Sequence, residues 1–235
     1  MPAELKHHAS GTLSMVAALA AAAGFVDAFV FQYVTPVFVA NMSGNLVRLG
    51  MSAGVHDGAQ AFGALVALAG FAAGVTAGAV HLDTHVRSER PLDPSSLLFV
   101  ETSLLIALAL LVQSADIIYS PSTEAADYPV ILIGAAAMGM QAIALRRVGQ
   151  VAVSTTYGTG AVVRLSEKLA LAVRKTPRPD DHRRRITIAV LGTVLLSYVF
   201  GAFAAASLSA NPNYLFIPAA VSLASAIECR RLRPR

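Results

Sequence analysis

Asp27 is the residue of this sequence with the clearest chemical consequence. Its carboxylate lies in "AAAGFVDAFVFQYV", residues 21–34, where nearly every neighbour is apolar. At the centre of a membrane helix a carboxylate costs roughly 2.5 to 3.5 kcal/mol on insertion scales, so such groups face the protein interior and are paired or functional. It could couple transport to a proton or cation, with Gln32 nearby and Arg48 or Arg164 as counter-ion. It could instead form a structural pair or a capping bond to a neighbouring loop.

Two polar segments interrupt the apolar sequence. In "NMSGN" and the residues that follow, the candidates are Asn41, Ser43, Gly44, Asn45 and Arg48. In "TTYGTG" and the residues that follow, they are Thr155, Thr156, Thr159, Gly160 and Arg164. Asn41 or Ser43, and Thr159, are suited to capping a helix start, whose exposed N–H groups attract anions or polar groups. We predict that the two segments line a polar path. Alternatively, each is a surface loop leading into an amphipathic helix that lies flat on the membrane.

Three further polar positions have weaker functional signals. Gln141 is expected to form a hydrogen bond between helices, with lining the path as the alternative. Glu101 is expected to be a solvated carboxylate near Arg146 or Arg147. His81 and His85 have the four-residue spacing of metal ligands on a helix, but no third ligand is evident and we expect no metal.

Enzyme signatures are absent from the sequence. It contains no zincin motif, phosphate-binding loop, dinucleotide fingerprint or nucleophile elbow. We therefore expect a protein that is not an enzyme and that needs no cofactor.

The composition is that of a membrane protein. Hydrophobic residues fill 55% of the 235 positions and charged residues 14%, with a mean hydropathy of +0.61, unlike a soluble domain. A bilayer core about 30 Å thick requires roughly 17 to 25 residues in a spanning helix. We predict an all-α polytopic fold with six transmembrane helices, at residues 13–34, 60–80, 97–118, 130–145, 186–208 and 213–227.

The positive charges predict the orientation. Ten of the 18 Lys and Arg residues fall between the fourth and fifth predicted spans, and seventeen fall on alternate segments that include both termini. Under the positive-inside rule these segments are cytoplasmic. We interpret the basic loop at residues 174–185 as an anchor for lipid headgroups, so the bilayer is the expected partner and nucleic acid is not.

The polar segments also form an internal repeat. "SGNLVRL" at residues 43–49 aligns with "TGAVVRL" at residues 159–165, with four identical positions. Each copy follows one span and precedes two, which divides a single membrane domain, residues 1–235, into repeats at 13–118 and 130–227. Because three spans is an odd number, the repeats cross the bilayer in opposite senses. Inverted three-plus-three repeats recur in transport proteins, with the site near the midplane where the halves meet.

A stripe of small residues lies in the second span. Gly70, Gly74 and Gly78 are spaced by four, so they share one helix face. Such a stripe permits close helix packing, either within the chain or in a homo-oligomer.

Four segments resemble a known family. "GFVDAFVF" at residues 24–31, "NMSGN" at 41–45, "GMQAIALRR" at 139–147 and "TTYGTG" at 155–160 are similar to the signature segments of the YoaK-like bacterial inner-membrane proteins. The resemblance implies a six-helix protein of the bacterial inner (plasma) membrane and supplies no substrate. The family has Gln-Asn-Ala where this chain has Gln141, Ala142 and Ile143, so a role for that Asn is not carried over.

The leading hypothesis is a permease for an unknown small solute or ion, with Asp27 and the polar segments forming its path. A second hypothesis is a membrane enzyme that acts on a lipid through Asp27, Glu101 or the pair His81 and His85. A third is a non-catalytic scaffold that binds partners through its glycine stripe and its basic loop.

Overall fold

The structure is a computed structural model that describes residues 3–87, 93–114, 123–146, 158–173 and 181–231. Within these ranges all regular structure is helical, as predicted. The helices are α1 (Ala3–Tyr33), α2 (Met42–Gly54), α3 (Gly58–Arg87), α4 (Pro94–Ser114), α5 (Asp127–Leu145), α6 (Gly158–Val173), α7 (Asp181–Ala206) and α8 (Phe216–Arg231), with a 3₁₀ helix (Pro212–Leu215) directly before α8.

Five helices of the described ranges are long and apolar enough to cross a bilayer. They are Gly11–Tyr33, Gly58–Thr84, Pro94–Ser114, Asp127–Leu145 and Arg183–Ala206. Runs of Ala, Val and Leu favour helices there because a helix satisfies its own backbone hydrogen bonds in lipid. These spans match the first five predictions, although residues 115–118 of the third lie outside the described residues. The sixth prediction falls on the 3₁₀ helix and on α8, which has 16 residues and is shorter than a usual spanning helix.

Local chemistry sets several helix ends. α1 ends shortly before Pro36, whose ring disfavours a helical conformation at the preceding residue. The side chain of Asp57 accepts a hydrogen bond from the Gln60 N–H (3.1 Å) at the start of α3. Asp93 accepts one from the Ser95 N–H (3.1 Å) at the start of α4. These are the capping bonds that exposed N–H groups require.

The last residues of the predicted basic loop at 174–185 belong to a helix. Residues 174–180 lie outside the described residues, and α7 already begins at Asp181. The Asp181 carboxylate forms an ion pair with Arg184 (2.9 Å) one turn later, and an acidic residue at a helix start is stabilising. Residues 181–185 are therefore the first turns of a helix rather than part of a loop.

α1 and α5 form the centre of the bundle, and most residues of their apolar spans are buried, whereas only a minority of those of α3 and α7 are. α1 packs against α7, and α5 packs against α3. α8 lies against α1, α4 lies against α5, and α4 and α8 contact each other. The short helices α2 and α6 pack on α3 and α7, respectively.

Glycines permit the closest approach between α1 and α7. A Cβ atom added to Gly24 would overlap the carbonyl oxygen of Tyr198, and one added to Gly201 would overlap the carbonyl oxygen of Ala21. The two backbones are therefore in direct contact, which is the usual way small residues hold membrane helices together.

α3 and α5 meet in the same way. A Cβ atom on Gly74 would overlap the carbonyl oxygen of Ala136, and one on Gly139 would overlap that of Phe71. Gly70 and Gly78 of the predicted stripe also face α5, where added Cβ atoms would meet Leu132 and Ile143. The stripe thus packs within the chain. A homo-oligomer formed through this face would need it free, and α5 covers it.

Candidate functional site

Asp27 holds the chain segment that follows α1. Its Oδ1 accepts hydrogen bonds from the N–H groups of Val39 and Ala40, both at 2.7 Å. Its Oδ2 accepts one from the Tyr198 hydroxyl of α7, at 2.5 Å. The carboxylate is buried, and all three donors belong to the protein. Of the two interpretations of Asp27, this geometry corresponds to a capping bond to a neighbouring loop.

The segment "NMSGN" closes on itself. Asn41 caps α2, because its Oδ1 accepts hydrogen bonds from the Gly44 N–H (3.1 Å) and from the Ser43 hydroxyl (2.8 Å). The amide of Asn45 is buried and pairs with the backbone of Phe38, where its Oδ1 accepts from the N–H (3.0 Å) and its Nδ2 donates to the carbonyl (2.6 Å). Most of the polarity of this segment therefore stabilises its own turn, and Ser43 remains exposed.

Arg48 contacts Gln60 and Phe31 rather than Asp27. Its Nη2 donates a hydrogen bond to Oε1 of Gln60 in α3 (2.7 Å). Its guanidinium lies 5.5 Å from the ring centroid of Phe31, which stacks on Phe38 at 4.3 Å. This is a cation–π arrangement on an aromatic pair. The expected counter-ion of Asp27 is thus replaced by backbone amides and a hydroxyl.

The second polar segment is only partly described. Thr155 and Thr156 lie outside the described residues. Thr159 and Gly160 are exposed in the first turn of α6, so Thr159 lies inside the helix rather than at its cap. Arg164 follows about one turn later and is also exposed, which places this second candidate counter-ion outside the buried surroundings of Asp27.

The two polar segments do not come together in the described parts of the chain. α2 packs on α3 and α6 packs on α7, without extensive packing between α2 and α6. Both helices expose apolar side chains at matching repeat positions, Leu46 and Val47 in α2, and Val162 and Val163 in α6. Exposed apolar side chains are what the alternative interpretation predicts, in which each helix is amphipathic and lies flat on the membrane.

Two glutamines occupy contrasting positions. Gln32 is exposed near the end of α1, and its Nε2 donates to the Tyr33 hydroxyl (3.2 Å), which itself donates to the Leu208 carbonyl (2.5 Å). Gln141 is buried in α5, and its Nε2 donates to the Leu19 carbonyl of α1 (2.9 Å). Gln141 thus forms a hydrogen bond between the two central helices. Its Oε1 is buried without a partner among the described residues.

Glu101 was interpreted wrongly from the sequence. It is 0% exposed in α4, so it is not a solvated carboxylate. Arg146 is exposed at the end of α5, and Arg147 lies outside the described residues. The signal that could have identified Glu101 is its position inside the third predicted span, residues 97–118, where Thr102 and Ser103 follow it but most other residues are apolar.

The sequence did not indicate a role for Tyr198. It is a polar side chain in the apolar run of α7, and its hydroxyl binds Asp27 across 171 positions of sequence. A tyrosine in an apolar run is an ordinary feature, and nothing local associates it with Asp27. The pairing becomes visible only when α1 and α7 are packed together.

The histidine pair has one described side chain. Nε2 of His81 lies 2.9 Å from the Ser96 hydroxyl, and the side chain of His85 lies outside the described residues. Within the described chain, no group of three or more His, Cys, Asp or Glu side chains could hold a metal ion.

The fold and its apolar spans define a multi-pass helical membrane protein. The chain belongs to the family described as "Protein of unknown function (DUF1275)", whose profile matches residues 15–227. It is 30% identical over 163 residues to the "UPF0700 transmembrane protein YoaK" of Bacillus subtilis (strain 168), an alignment that covers 67% of each chain. The resemblance to YoaK-like proteins is therefore confirmed. No solved structure matches the chain.

Proposed function

We propose that the protein is a permease for a small solute or ion, built as a three-plus-three inverted repeat with six spans. Both termini are cytoplasmic in this proposal, and the membrane is the bacterial inner (plasma) membrane. The solute crosses where the two repeats meet, as in other inverted-repeat transporters.

One observation carries the proposal. When each helix of the first repeat is exchanged with the corresponding helix of the second, the contacts named below map onto one another. If α1–α4 are exchanged with α5–α8, the contact of α1 with α7 becomes that of α5 with α3. The contact of α4 with α5 becomes that of α8 with α1, and the contact of α2 with α3 becomes that of α6 with α7. The contact of α4 with α8 maps onto itself. Such a pattern is expected when a pseudo-two-fold axis relates the repeats.

The close glycine contacts map onto each other under the same exchange, because the α1–α7 pair corresponds to the α5–α3 pair. Gly24 and Gly201 form one reciprocal contact, and Gly139 and Gly74 form the other. In all four cases, a glycine meets the carbonyl oxygen of the residue three positions before the partner glycine. Because this detail is shared by two contacts that involve four different helices, it supports a common origin of the two halves.

The 3₁₀ helix and α8 together supply enough length for the sixth span. They run without interruption from Pro212 to Arg231. At about 2.0 Å per residue for the 3₁₀ helix and about 1.5 Å for α8, they extend roughly 32 Å, close to the thickness of a bilayer core of about 30 Å. Arg230 and Arg231 in the last turn fit a cytoplasmic end.

The path is proposed between the central helices rather than along α2 and α6. Gln141, Ser222 and Glu101 are buried polar residues of α5, α8 and α4, and α4 contacts both α5 and α8. Polar groups inside a membrane protein are costly and mark solute or ion pathways. The unpaired Oε1 of Gln141 is available to a passing solute.

Flux measurements test the proposal. Purified protein in liposomes is exposed to inward gradients of urea, glycerol, potassium formate and ammonium chloride, and swelling is followed by stopped-flow light scattering. The wild type is expected to exceed empty liposomes for at least one solute. Gln141→Leu should reduce that excess roughly tenfold, equivalent to about 1.4 kcal/mol.

Gln113→Leu is the matched control. It is the same substitution at an exposed residue near the end of α4, where the side chain bonds to Asn213 (3.2 Å), and it should leave flux unchanged. A wild type that swells no faster than empty liposomes in all four gradients contradicts the permease. In that case, a lipid product missing from a deletion strain would favour the enzyme hypothesis instead.

A further inference from the structure

Glu101 is held less firmly than the buried carboxylate of Asp27, because the Ser222 hydroxyl is the polar group of the described residues that faces it. Both oxygens of Asp27 accept bonds from the protein. Both oxygens of Glu101 are buried, and neither has a hydrogen-bond partner among the described residues. Unsatisfied buried groups are rare in folded proteins and require an explanation. The contrast indicates that Asp27 is fixed in place, whereas Glu101 is available for chemistry.

The surroundings of Glu101 are apolar and neutral. Leu98 and Leu105, about one turn away on either side in α4, are fully buried. The Ser222 hydroxyl of α8 lies beside the carboxyl and is able to donate a hydrogen bond to it, although in the conformation described its proton is donated to the Leu98 carbonyl (3.2 Å). An unpaired charge in such a place is strongly disfavoured, so the site accommodates a neutral carboxylic acid.

Titratable groups on the helices around α4 lie near the helix ends. They are Asp127 and Tyr128 of α5, Arg146 directly after α5, Tyr214 of the 3₁₀ helix, and Glu228, Cys229, Arg230 and Arg231 of α8. His81 of α3 contacts Ser96, in the first turn of α4. No charged group of the described residues faces Glu101 itself. Protonation is therefore the remaining way to neutralise this carboxyl in the conformation described.

We propose that Glu101 is the proton-binding site of the permease, an inference that rests on the function proposed above. In the closed α4–α8 contact, Glu101 carries a proton. When this contact opens to one side of the membrane, the O–H bond breaks, the electron pair stays on the carboxylate, and the proton passes to a water molecule. The carboxylate must bind a proton again before the contact closes, which couples closure to proton binding.

The α4–α8 contact is suited to opening. The buried face of α8 consists of small residues, namely Pro218, Ala219, Ser222, Ser225 and Ala226. Because α8 buries no large side chain of its own, its separation from α4 would not withdraw a large α8 group from a packed core. Ser222 and Ser225 would then offer hydroxyls to the entering water. Glu101 lies seven residues into α4 from Pro94, about 10 Å along the helix axis.

Carbodiimide labelling tests protonation directly. Dicyclohexylcarbodiimide is an apolar reagent that adds to protonated carboxyls within the membrane, and the stable acylurea retains the whole reagent. Intact-mass spectrometry of the full chain should show one adduct at Glu101 that declines as the pH is raised. Glu101→Gln, which mimics the neutral acid and should fold, should show no adduct, while Asp27→Asn should retain it.

A wild type that stays unlabelled at every pH, or an adduct that persists in Glu101→Gln, overturns the proposal. Coupling is tested in liposomes that contain a pH-sensitive dye, with the solute that the swelling assay identifies. Wild type should acidify or alkalinise the lumen as the solute moves, and Glu101→Gln should not. If Glu101→Gln moves both solute and protons like wild type, the inference fails and the permease stands. If no solute moves but labelling is specific to Glu101, the proton site is supported and the permease fails.

Discussion

At the scale of single residues, Asp27 is best understood as a cap for a segment outside its own helix. Val39 and Ala40 are fully buried, so water does not reach their N–H groups. Without the carboxylate they would have no acceptor, a state that costs roughly 1–3 kcal/mol for each group. Asp27 therefore fixes the turn that leads into α2 and joins it to α7 through Tyr198.

This role predicts an order of stability among variants. Asp27→Ala should lower the thermal midpoint strongly, because it leaves both amides without an acceptor. Asp27→Asn should lower it less, because the amide keeps an oxygen that can accept from Val39 and Ala40. The midpoints are measured by size-exclusion chromatography of detergent-solubilised protein after heating. Equal losses in the two variants would argue against capping and leave coupling as the interpretation of this carboxylate.

The sequence identified the polar residues with a structural role better than it identified their hydrogen-bond partners. Asp27 and Asn41 are recognisable locally, since a polar group in an apolar run or before a helix start has few explanations. The partners of Asp27 were not predictable because they lie far away in the chain, 12 positions for Val39 and 171 for Tyr198. The burial of Glu101 depends on α8, which packs on α4 from more than 100 positions away.

At the scale of helices, glycines decide which elements can touch. α7 provides a test within one helix, because Gly201 lies against the backbone of α1, whereas a Cβ on Gly192 would have nothing within 4 Å. Gly201→Ala should separate α1 from α7 and lower the thermal midpoint by several degrees or prevent folding. Gly192→Ala should be neutral or slightly stabilising, since Ala favours a helix over Gly by about 1 kcal/mol. Comparable losses at both positions would show that the α1–α7 contact is not the cause.

Helix existence was predictable, and helix arrangement largely was not. Hydropathy fixed five spans because lipid demands long apolar helices. The stripe Gly70, Gly74 and Gly78 predicted close packing but could not name α5 as the partner. The polar segments after the first and fourth spans suggested a path, although their exposed apolar residues, such as Val47 and Val163, place α2 and α6 at the surface of the bundle.

At the scale of the whole molecule, the direction in which each half crosses the membrane is the decisive property. Inverted halves place equivalent segments on opposite sides of the membrane, whereas parallel halves would place them on the same side. The distribution of Lys and Arg predicts inversion. The connection that contains "SGNLVRL" has one positively charged residue, Arg48, whereas the connection that contains "TGAVVRL" has ten. Sidedness can be measured without knowing the solute.

Single cysteines placed in a Cys229→Ser background report this sidedness in whole cells and in inside-out vesicles. Ser43 and Thr159 are exposed at equivalent repeat positions, so an impermeant thiol reagent should label position 43 only from outside and position 159 only from inside. Ser209 and Thr84, also exposed, serve as controls for the outer and inner faces. Labelling of both test positions from one face would mean that the halves are parallel. The exchange of helix contacts would then need another origin, and the principal support for a permease would be lost.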